Sequence, residues 1–598
     1  MSGNATNQSK DLLLSWGKYS DLHTIDGLEA LDVRFYEYVL SQDPFWAGKI
    51  SQYREDGQVD TLEYSEFIIA LSPYLERFLL ELFRINTNEI AEKYHHSEHM
   101  LSLRHHFFKV VSRKSYTPFV TMTFDDVHRW LLTKVHVICE TDVARYASSV
   151  LAEGDNVAKE RLLLWCHYVV KDHTLYPAII DWYAVWQPKR LLKRRVDVEE
   201  DVASFRYSTE LSSPNTRDNF SLVDQKMSDN QIMLHNDYCA TCHDKQVDYC
   251  RSGFYQVKSD PNSGYREDIL GQTMYGCPID EKVSEMHWLK KRGFHLGALI
   301  AVMIDNPMCA VTGHRICNDC MRSCIYQKNE PVDTPQVESG VLRDILSLPW
   351  GVEIYDLLIR WHPLRLQEYL PKAENGYKVA VMGLGPAGFS LVHHLAMQGC
   401  TVVGMDGADI QPWPHDDVML PIRHYQSIYE PMEHRAVLGF GGVCEYGITA
   451  RWDKNLLKLA YLSLLRRSNV YLSGNIRFGG TLNLDDLWHL GFHHVALALG
   501  AGLPKALDIP HSMAKGMRQA NDFLMALQLT GSYQQNTFAE LSLHLPAVVI
   551  GGGLTAMDTA TEVQAFYLQM VQLVHKRSQT LQRSMGEDAF WQGFSSEE

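Results

Sequence analysis

The sequence lacks any run of about 18 consecutive apolar residues, which is roughly the length that a membrane-spanning helix needs. It also lacks an excess of basic residues, because 56 Lys and Arg stand against 72 Asp and Glu and give a net charge of −16. Binding to nucleic acid depends on Lys and Arg that neutralise phosphates, so we expect no nucleic-acid partner and no membrane span. Residues 1–10 are polar and contain no apolar core of a signal peptide, which favours a cytoplasmic protein.

Glycine-rich phosphate loops and nucleophile motifs are absent from the sequence of residues 1–230. Apolar residues recur there at helical spacing in 71–85, 127–150 and 159–170, so we predict a mostly helical region. Residues 202–230 are rich in Ser, Asn, Asp and Thr and are predicted to be a linker. Nothing in this region identifies a substrate.

Two polar clusters in the same region have functional alternatives. His95 and His99 lie four residues apart on a predicted helix, a spacing that can bind zinc. We prefer the interpretation of a polar, partly exposed helix rich in His. The basic run 189–195 is followed by acidic residues, and we interpret it as a solvated helix end with local ion pairs.

Cysteine is scarce outside one segment: of 12 cysteines, eight lie between residues 239 and 324. Disulfides do not persist in a reducing compartment, so this clustering suggests a metal site. The two groups of closely spaced cysteines are Cys239, Cys242, Cys250 and Cys277, and Cys317, Cys320 and Cys324.

Iron–sulfur clusters and zinc are the two metal sites that such spacings allow. Two CxxC pairs can form a tetrahedral zinc site, but the 75 residues from Cys242 to Cys317 are long for a zinc ribbon. The CxxCxxxC group precedes a polar stretch that contains proline, and Pro278 directly follows Cys277, which suits iron–sulfur ligation better. Zinc and a region without metal remain alternatives.

Residues 378–406 have the pattern of a βαβ dinucleotide-binding unit. A short apolar run precedes the motif GLGPAG, then a helical pattern follows, and a second apolar run ends in an acidic residue. The glycines allow a tight turn, a close approach to a pyrophosphate and close helix packing, and the acidic residue can accept hydrogen bonds from a ribose. The candidate cofactor-binding residues are Gly383, Gly385, Pro386, Ala387, Gly388 and Asp406.

A second dinucleotide motif begins at Gly551. We predict a buried strand at 547–550, a helix that continues to Gln569, and a second strand at 571–574. Two cations and no acid follow that second strand, which favours the 2′-phosphate of NADPH over NADH. The cations can also simply cap an exposed strand end. The candidate residues are Gly551, Gly553, Thr555, Ala556, Asp558, Lys576 and Arg577.

The sequence continues for only 47 residues after Gly551, whereas a complete nucleotide-binding domain needs about 100. We therefore expect the second nucleotide-binding domain to be incomplete and the chain to be a fragment or truncated product of a longer protein. A half-built sheet would leave an unpaired edge.

These motifs together resemble the small subunit of bacterial glutamate synthase and the N-terminal part of dihydropyrimidine dehydrogenase. The resemblance in the cysteine-rich region rests on Tyr275-Gly-Cys277-Pro, Asn306-Pro307, residues 312–317, residues 329–332 and Glu338. In the region that follows the first dinucleotide motif it rests on residues 439–454, 495–504 and 521–524, with Thr449 where the family usually has proline.

The resemblance implies a helical ferredoxin-type domain with two [4Fe–4S] clusters. One cluster would be bound by Cys239, Cys242, Cys250 and Cys324, and the other by Cys277, Cys317, Cys320 and Glu338. This chain departs from the family pattern by an insert around 252–271, which makes Cys250 the least secure ligand. Cys309 is extra and could substitute for it, although an ordinary buried cysteine is the simpler interpretation.

The family order, with a flavin site first and a pyridine-nucleotide site second, implies FAD rather than NAD at the first dinucleotide motif. Further residues that the resemblance places near the flavin are Gly442, Tyr446, Gly447, Gly500 and Gly502.

We therefore predict a multidomain α and α/β architecture. Its parts are a helical region at 1–230, an α-helical ferredoxin-like iron–sulfur domain at 231–345, a Rossmann-like FAD domain at 346–545, and the start of a Rossmann-like NAD(P)H domain at 546–598. The predicted function is an oxidoreductase that passes electrons from NAD(P)H through FAD to [4Fe–4S] clusters and an unknown acceptor or acceptor subunit. No catalytic side chain is predicted. A truncated, inactive remnant that acts as a scaffold and a zinc-stabilised regulator are the alternatives.

Overall fold

The structure is a computed structural model. It describes residues 13–86, 97–188, 199–201, 206–208, 217–222, 226–245, 247–257, 260–268, 271–313, 316–413, 418–447, 452–501, 507–539 and 541–594. His95, the basic run 189–195, Thr449 and Gly502 lie outside these residues. No helix among the described residues has both the length and the apolar character needed to cross a lipid bilayer.

Helices dominate the described residues. The longer ones are α1 (Ile25–Gln42), α2 (Pro44–Asp56), α3 (Thr61–Leu82), α4 (Phe124–Leu132), α5 (Glu140–Glu153), α6 (Asn156–Lys171), α7 (Asp229–Tyr238), α8 (Val283–Lys291), α9 (His295–Asp305), α10 (Thr334–Leu346), α11 (Gly351–Arg360), α12 (Pro386–Met397), α13 (Leu457–Leu465), α14 (Ala520–Leu529) and α15 (Leu554–Met585).

Eight short strands form three sheets in the described residues. They are β1 (Leu13–Leu14), β2 (Gly17–Lys18), β3 (Glu199–Asp201), β4 (Arg206–Ser208), β5 (Lys378–Met382), β6 (Thr401–Met405), β7 (Val470–Ser473) and β8 (His494–Leu497). The first four make two antiparallel pairs. The last four make one parallel sheet in the order β7-β6-β5-β8. A mixed helical and α/β fold with a parallel sheet is therefore confirmed.

The β5–α12–β6 unit forms as the sequence predicts. Strand β5 is buried along residues 379–382, as expected of a central parallel strand covered on both faces. Helix α12 starts at Pro386, whose fixed φ suits the first helical position. Val379 pairs with Val402 on one side of β5 and with His494 on the other. The glycine-rich loop thus lies at the carboxyl end of the sheet, where parallel sheets bind ligands.

One large apolar core joins distant parts of the chain. It includes Phe78 of α3, Leu299 of α9, Leu357 of α11, Phe389 of α12 and Leu462 of α13, each at most 1% exposed. It therefore spans the boundary that the sequence places at residue 230. The domain boundaries themselves stay a prediction.

A second core is built by residues 97–186 and closed by two residues of α7, Met233 and Leu234. The helical spacing at 127–150 corresponds to two helices, α4 and α5, separated by a loop. Val135 and Ile138 in the connecting loop are both buried in this core. Tertiary packing of these two side chains outweighs the local helical pattern.

The strands predicted at 547–550 and 571–574 are wrong. Val548 is 83% exposed and Ile550 is 61% exposed, and no strand among the described residues pairs with either segment. A strand without a partner leaves its backbone hydrogen bonds unmade. Residues 571–574 instead continue α15, where Gln, Leu, Met, Lys and Arg favour a helix.

The described part of the predicted linker is packed rather than free. Arg217 is 2% exposed and its Nη2 lies 2.7 Å from Oε1 of Glu562 on α15. Phe220 joins a third, small core with residues of α14 and α15 such as Leu524 and Phe566.

Candidate functional site

The glycine-rich loop between β5 and α12 requires glycine at two positions. Gly383 has a φ of +98°, and a Cβ there would lie 2.3 Å from the carbonyl oxygen of Ala498. At Gly388 a Cβ would lie 1.8 Å from the carbonyl oxygen of Gly383. The loop therefore turns tightly, and the first turn of α12 lies directly on its own loop.

Asp406 lies at the end of β6 and holds the same loop in place. Its Oδ2 accepts a hydrogen bond of 2.7 Å from the N–H of Leu384, and its Oδ1 accepts one of 2.9 Å from the N–H of Ala408. A carboxylate has about four acceptor positions, so these bonds leave capacity for a further donor. Binding of a ribose by Asp406 stays a prediction.

Two further glycines close against this loop. Gly442 has a φ of +53°, and a Cβ there would lie 2.8 Å from Cα of Gly385. The N–H of Gly441 donates to the carbonyl oxygen of Leu384 at 3.1 Å. The structure thus brings residues 441–442 to the dinucleotide loop, as a shared cofactor site requires. Tyr446 and Gly447 follow at the end of the same short helix, Val443–Tyr446.

Gly500 comes shortly after β8 and has a φ of +75° with open space beside it. Its neighbour Ala498 donates its N–H to the carbonyl oxygen of Met382 at 2.8 Å, which aligns this segment with the end of β5. Gly383, Gly385, Gly442 and Gly500 therefore lie on neighbouring segments at one edge of the sheet.

The second dinucleotide motif has a different geometry from the predicted one. Gly553 is the N-terminal cap of α15, and Thr555, Ala556 and Asp558 lie in the first turns of that helix. A Cβ on Gly551, whose φ is +136°, would lie 3.4 Å from Cβ of Ala556.

Lys576 and Arg577 lie on α15 itself and not at the end of a strand. Along a helix, 23 residues from Gly553 to Lys576 span about 34 Å. A side chain at that distance does not reach a nucleotide held at Gly553. Arg577 donates from Nη2 to the carbonyl oxygen of Thr537 instead. In this geometry neither cation is positioned to bind a 2′-phosphate at the second motif.

Cysteines from three separate segments line one cavity. The four are Cys239, Cys242, Cys250 and Cys324. Cys239 ends α7, where its N–H donates to the carbonyl oxygen of His235 at 3.0 Å. Asp248 lines the cavity as well, and both of its carboxylate oxygens are buried without a hydrogen-bond partner.

Burial makes two of these thiols less acidic. It raises the pKa of Cys239 to about 12 and that of Cys242 to about 11. A hydrogen bond between the other two thiols lowers the pKa of Cys324 to about 7 and raises that of Cys250. Thiols bind metal as thiolates. Because burial disfavours the negative thiolate, the positive charge of a bound metal would have to stabilise it.

The second group of predicted ligands consists of Cys277, Cys317, Cys320 and Glu338, and the first consists of Cys239, Cys242, Cys250 and Cys324. The second group has buried carboxyl groups around it. Burial and the neighbouring Glu281 raise the pKa of Cys277 to about 12. Cys320 interacts electrostatically with Cys317, Glu281, Cys277 and, more weakly, Glu338. Cys320 thus interacts with the other three predicted ligands of the second group.

Glu338 and Glu281 take different positions in this group. A Cβ at Gly313 would lie 1.8 Å from Oε1 of Glu338, so glycine is needed at residue 313 for this side chain to fit. Glu281 was missed by the sequence reasoning. It is 7% exposed, and burial followed by the charge of Glu338 raises its pKa well above its usual range. Its position four residues after Cys277 is the signal that could have identified it.

Cys309 lies beside the second group and not the first. It is 2% exposed, and its thiol is hydrogen-bonded to Tyr355. Burial and then the charge of Glu338 raise its pKa. Because Cys250 lines the cavity of the first group, the structure favours Cys250 over Cys309 there. Among the residues that the structure describes, no three His, Cys, Asp or Glu side chains converge to hold a single metal ion.

The described histidines of the N-terminal cluster contact polar side chains. His99 Nδ1 lies 2.8 Å from Oγ of Ser148. His105 Nε2 lies 2.8 Å from Oδ1 of Asp237, and Oδ2 of the same carboxylate accepts a hydrogen bond from Lys109 at 2.9 Å. These contacts fit the preferred interpretation of a polar helix.

Comparison with known proteins gives two family matches. Residues 377–590 match the model of the pyridine nucleotide-disulphide oxidoreductases. Residues 15–84 match the RP005 N-terminal alpha-helical domain.

The chain is also similar to individual proteins. The chain is 45% identical over 265 residues to the uncharacterized protein RP006 of Rickettsia prowazekii. The match covers 44% of this chain and 37% of RP006. It is 26% identical over 326 residues to the small chain of glutamate synthase [NADPH] of Bacillus subtilis, covering 53% of each. The uncharacterized protein RP005 of Rickettsia prowazekii is 22% identical over 294 residues, covering 45% of this chain and 96% of RP005.

The chain spans about a third of the length of RP006 and about half of the length of the Bacillus subtilis small chain. The glycine-rich loop at 383–388, its sheet and the second motif at 551–558 all fall within the matched segment. Through residues 377–590, this chain is therefore related to the pyridine nucleotide-disulphide oxidoreductase family.

Proposed function

We propose that this chain is a flavin- and iron–sulfur-dependent oxidoreductase that takes electrons from NAD(P)H and delivers them to an acceptor protein or subunit. The observation that carries the proposal is the meeting of Cys239, Cys242, Cys250 and Cys324 around one cavity. These residues come from segments up to 85 positions apart in the sequence, so their meeting is a property of the fold. The general redox function is supported by the family relationship of residues 377–590.

The glycine-rich loop supports FAD as the cofactor of the first motif. Its residues Gly383 and Gly388 have no room for a side chain, and Gly385 stands at the N-terminal cap of α12. The free N–H groups at this helix end can bind the pyrophosphate, and the helix dipole favours its negative charge. Asp406 holds the loop in the required turn through Leu384.

The two cysteine groups support a pair of [4Fe–4S] clusters. In such a cluster each thiolate binds a different iron, so the ligands surround a volume rather than a point. In the proposal, Glu338 is the non-cysteine ligand of the second group, and Glu281 is a buried carboxyl group beside it whose raised pKa favours the neutral form. Hydrogen bonds and net charge near a cluster set its reduction potential, so the protonation state of Glu281 would tune the second cluster.

When bound, FAD would accept a hydride, which carries two electrons, and pass the electrons on one at a time. The clusters would supply the route by which the electrons leave the flavin. The side chains of this chain position the cofactors and set their electrostatic surroundings. The preference for NADPH over NADH stays open, because Lys576 and Arg577 lie far along α15 from Gly553.

The test is an anaerobic reconstitution of the full chain with ferrous iron, sulfide and FAD. We expect flavin absorption bands above a broad iron–sulfur shoulder that dithionite bleaches. Cys324→Ser should lower the iron content by about half, because only one of two clusters loses a ligand. Its matched control is Cys139→Ser, a half-buried cysteine that lies outside both groups.

A colourless protein, or an iron content that is equal in the two variants, would contradict the proposal. Metal analysis of the same samples separates the rival classes, since stoichiometric zinc without iron would indicate the zinc-stabilised regulator instead. A chain with neither metal nor flavin would indicate a scaffold.

A further inference from the structure

A small cavity lies where the start of α1 meets the end of α13, and none of the cysteines lines it. Its volume is about 70 Å³, against roughly 10–15 Å³ that one water molecule needs. It therefore has room for more than one water. The polar and charged residues that line it include His23, Thr24, Arg360, Lys372, Arg466 and Arg467.

Two of the arginines at this cavity already have acidic partners. Arg466 Nη1 lies 2.8 Å from Oε2 of Glu353 and 3.0 Å from Oδ2 of Asp356. Arg360 Nη2 lies 2.9 Å from the same oxygen of Asp356. Two buried carboxylates thus balance two buried guanidinium groups.

Arg467 has no such partner. It is 9% exposed, and no carboxylate of the described residues forms an ion pair with it. Its Nη2 lies 2.9 Å from Nδ1 of His393, its Nη1 donates to the carbonyl oxygen of His393 at 3.4 Å, and its Nε is buried without a partner. Burial and the nearby Arg360 lower the pKa of Arg467 to about 9. A buried charge without a counter-charge is costly.

Two further features favour an anion at the same place. Both ring nitrogens of His23 are buried without a hydrogen-bond partner, so one N–H of the neutral ring is available. Thr24 is the N-terminal cap of α1, an 18-residue helix whose dipole is positive at this end. The acidic residue that lines the cavity, Glu374, is exposed, and water screens its charge.

We propose that this cavity binds a small tetrahedral oxyanion, a phosphate group that is either free or the end of a small phosphomonoester. The anion would neutralise the guanidinium group of Arg467 and accept a hydrogen bond from His23. Lys372 is exposed and its Nζ donates to Oε1 of Gln398 at 2.6 Å, so it would add a weaker, screened contact at the rim. The cavity joins residues of the segment 15–84 to residues of the segment 377–590, so the anion would fasten these two parts together. This site is separate from the proposed cofactor sites.

The test measures thermal unfolding of the full chain with inorganic phosphate, with glycerol phosphate and with chloride at equal ionic strength. We expect a saturable rise in Tm with at least one phosphate compound and none with chloride, since a ligand that binds only the folded state stabilises it. Arg467→Gln should raise the half-saturating phosphate concentration at least tenfold, and Lys372→Gln should raise it by a smaller factor because Lys372 is exposed. The exposed Arg477→Gln is the matched control and should bind as the wild type does.

The proposal is overturned if no phosphate compound gives a saturable shift in the wild type, or if Arg467→Gln and Lys372→Gln keep the wild-type response. An equal loss in Arg477→Gln would overturn it too, because the effect would then be general charge. A response to inorganic phosphate alone identifies the free ion, and a stronger response to glycerol phosphate identifies an ester. None of these readings depends on flavin or iron, so failure of the proposed redox function leaves the test intact.

Discussion

At the scale of single residues, Gly388 places the strictest demand on the sequence. A Cβ there would lie 1.8 Å from the carbonyl oxygen of Gly383 and 3.5 Å from Cβ of Ala498. The first contact is with backbone of the loop itself, so no side chain can move aside to relieve it. The loop would have to open, and the N–H groups at the start of α12 would move with it.

We predict that Gly388→Ala destabilises the fold by about 1–3 kcal/mol, the usual cost of overpacking a tight site. It should also weaken the proposed binding of FAD, because the N–H groups at the helix start would leave the position that we propose for the pyrophosphate. Urea unfolding and a fluorescence titration with FAD measure the two effects. The control is Gly480→Ala, where the nearest atoms to a new Cβ belong to the flexible side chain of Arg477, at 3.7–3.8 Å. Equal losses of stability and of FAD affinity in Gly388→Ala and Gly480→Ala would contradict the prediction.

The sequence predicts the residues of this loop well because its demands are local. The tight contact of Gly388 and the hydrogen bond of Asp406 to the loop arise within one βαβ unit, whereas Gly383 is also limited by Ala498, which follows β8. Glu281 and Asp248 are less predictable, because apart from the spacing of Glu281 from Cys277 only the burial that distant segments impose distinguishes them. Cys250 is intermediate, since its spacing is unusual but the fold still brings it to Cys324.

At the scale of elements, the same distinction separates correct from incorrect predictions. Strands β5 and β6 were predicted because each is a short apolar run with a neighbour to pair with. The strand predicted at 571–574 has the same apolar character, but no described strand lies beside it, and its flanking residues favour α15. Partner availability is a property of the whole sheet, which a local pattern does not contain.

The packing of α3 on α9 includes a buried carboxyl group. Oε2 of Glu76 accepts a hydrogen bond of 2.7 Å from the N–H of Gly297. Burial raises the pKa of Glu76 from 4.5 to about 7, although the N–H groups of Gly297 and Leu296 oppose the rise. Between those two pH values the folded chain holds a proton that the unfolded chain has released. Stability therefore falls as pH rises through this window and is lowest above pH 7.

We predict that Glu76→Gln removes this loss. At pH 8 the variant should be more stable than the wild type by up to about 3 kcal/mol, because it keeps the acceptor for Gly297 without a buried charge. At pH 5 the two should be nearly equal, since the wild-type carboxyl is then largely protonated in the folded chain. Urea unfolding at both pH values gives the comparison.

Glu81→Gln, an exposed change on the same helix, should show no such dependence. A difference between Glu76→Gln and the wild type that is the same at pH 5 and pH 8 would show that the carboxyl is not protonated on folding.

At the scale of the whole molecule, the two largest apolar cores lie in different parts of the described chain, beside smaller ones such as the third core around Phe220. The first extends from Leu14 to Val470 in the sequence, and the second lies within 97–186 apart from its contacts with α7. Hydrogen bonds to Glu353 fasten the first core: Tyr19 donates to Oε2 at 2.5 Å, and the N–H of Ile422 donates to Oε1 at 2.6 Å. The start of the described chain is thereby held to α11.

We predict that Tyr19→Phe lowers the stability of the first core by about 1.5–3 kcal/mol, the usual worth of a hydrogen bond to a charged group. The second core should not change. Thiol labelling in increasing urea separates the two, because Cys444 belongs to the first core and Cys166 to the second, and both are fully buried. Cys444 should become reactive at a lower urea concentration in the variant, and Cys166 at an unchanged one.

The control for this prediction is Tyr471→Phe, which removes a hydroxyl from a side chain that is 58% exposed. If Cys166 shifts together with Cys444 in Tyr19→Phe, the two cores unfold as one unit, and the division described above does not extend to their stability.

The long helix α15 has a further consequence for motion. Its buried residues, among them Asp558, Glu562 and Phe566, all lie in its first half, whereas Val574 and Met585 are more than half exposed. The first half is held by the third core, and the second half by little more than its own backbone hydrogen bonds. Amide hydrogens should therefore exchange with solvent slowly before residue 567 and progressively faster beyond it, so that the helix frays from one end only.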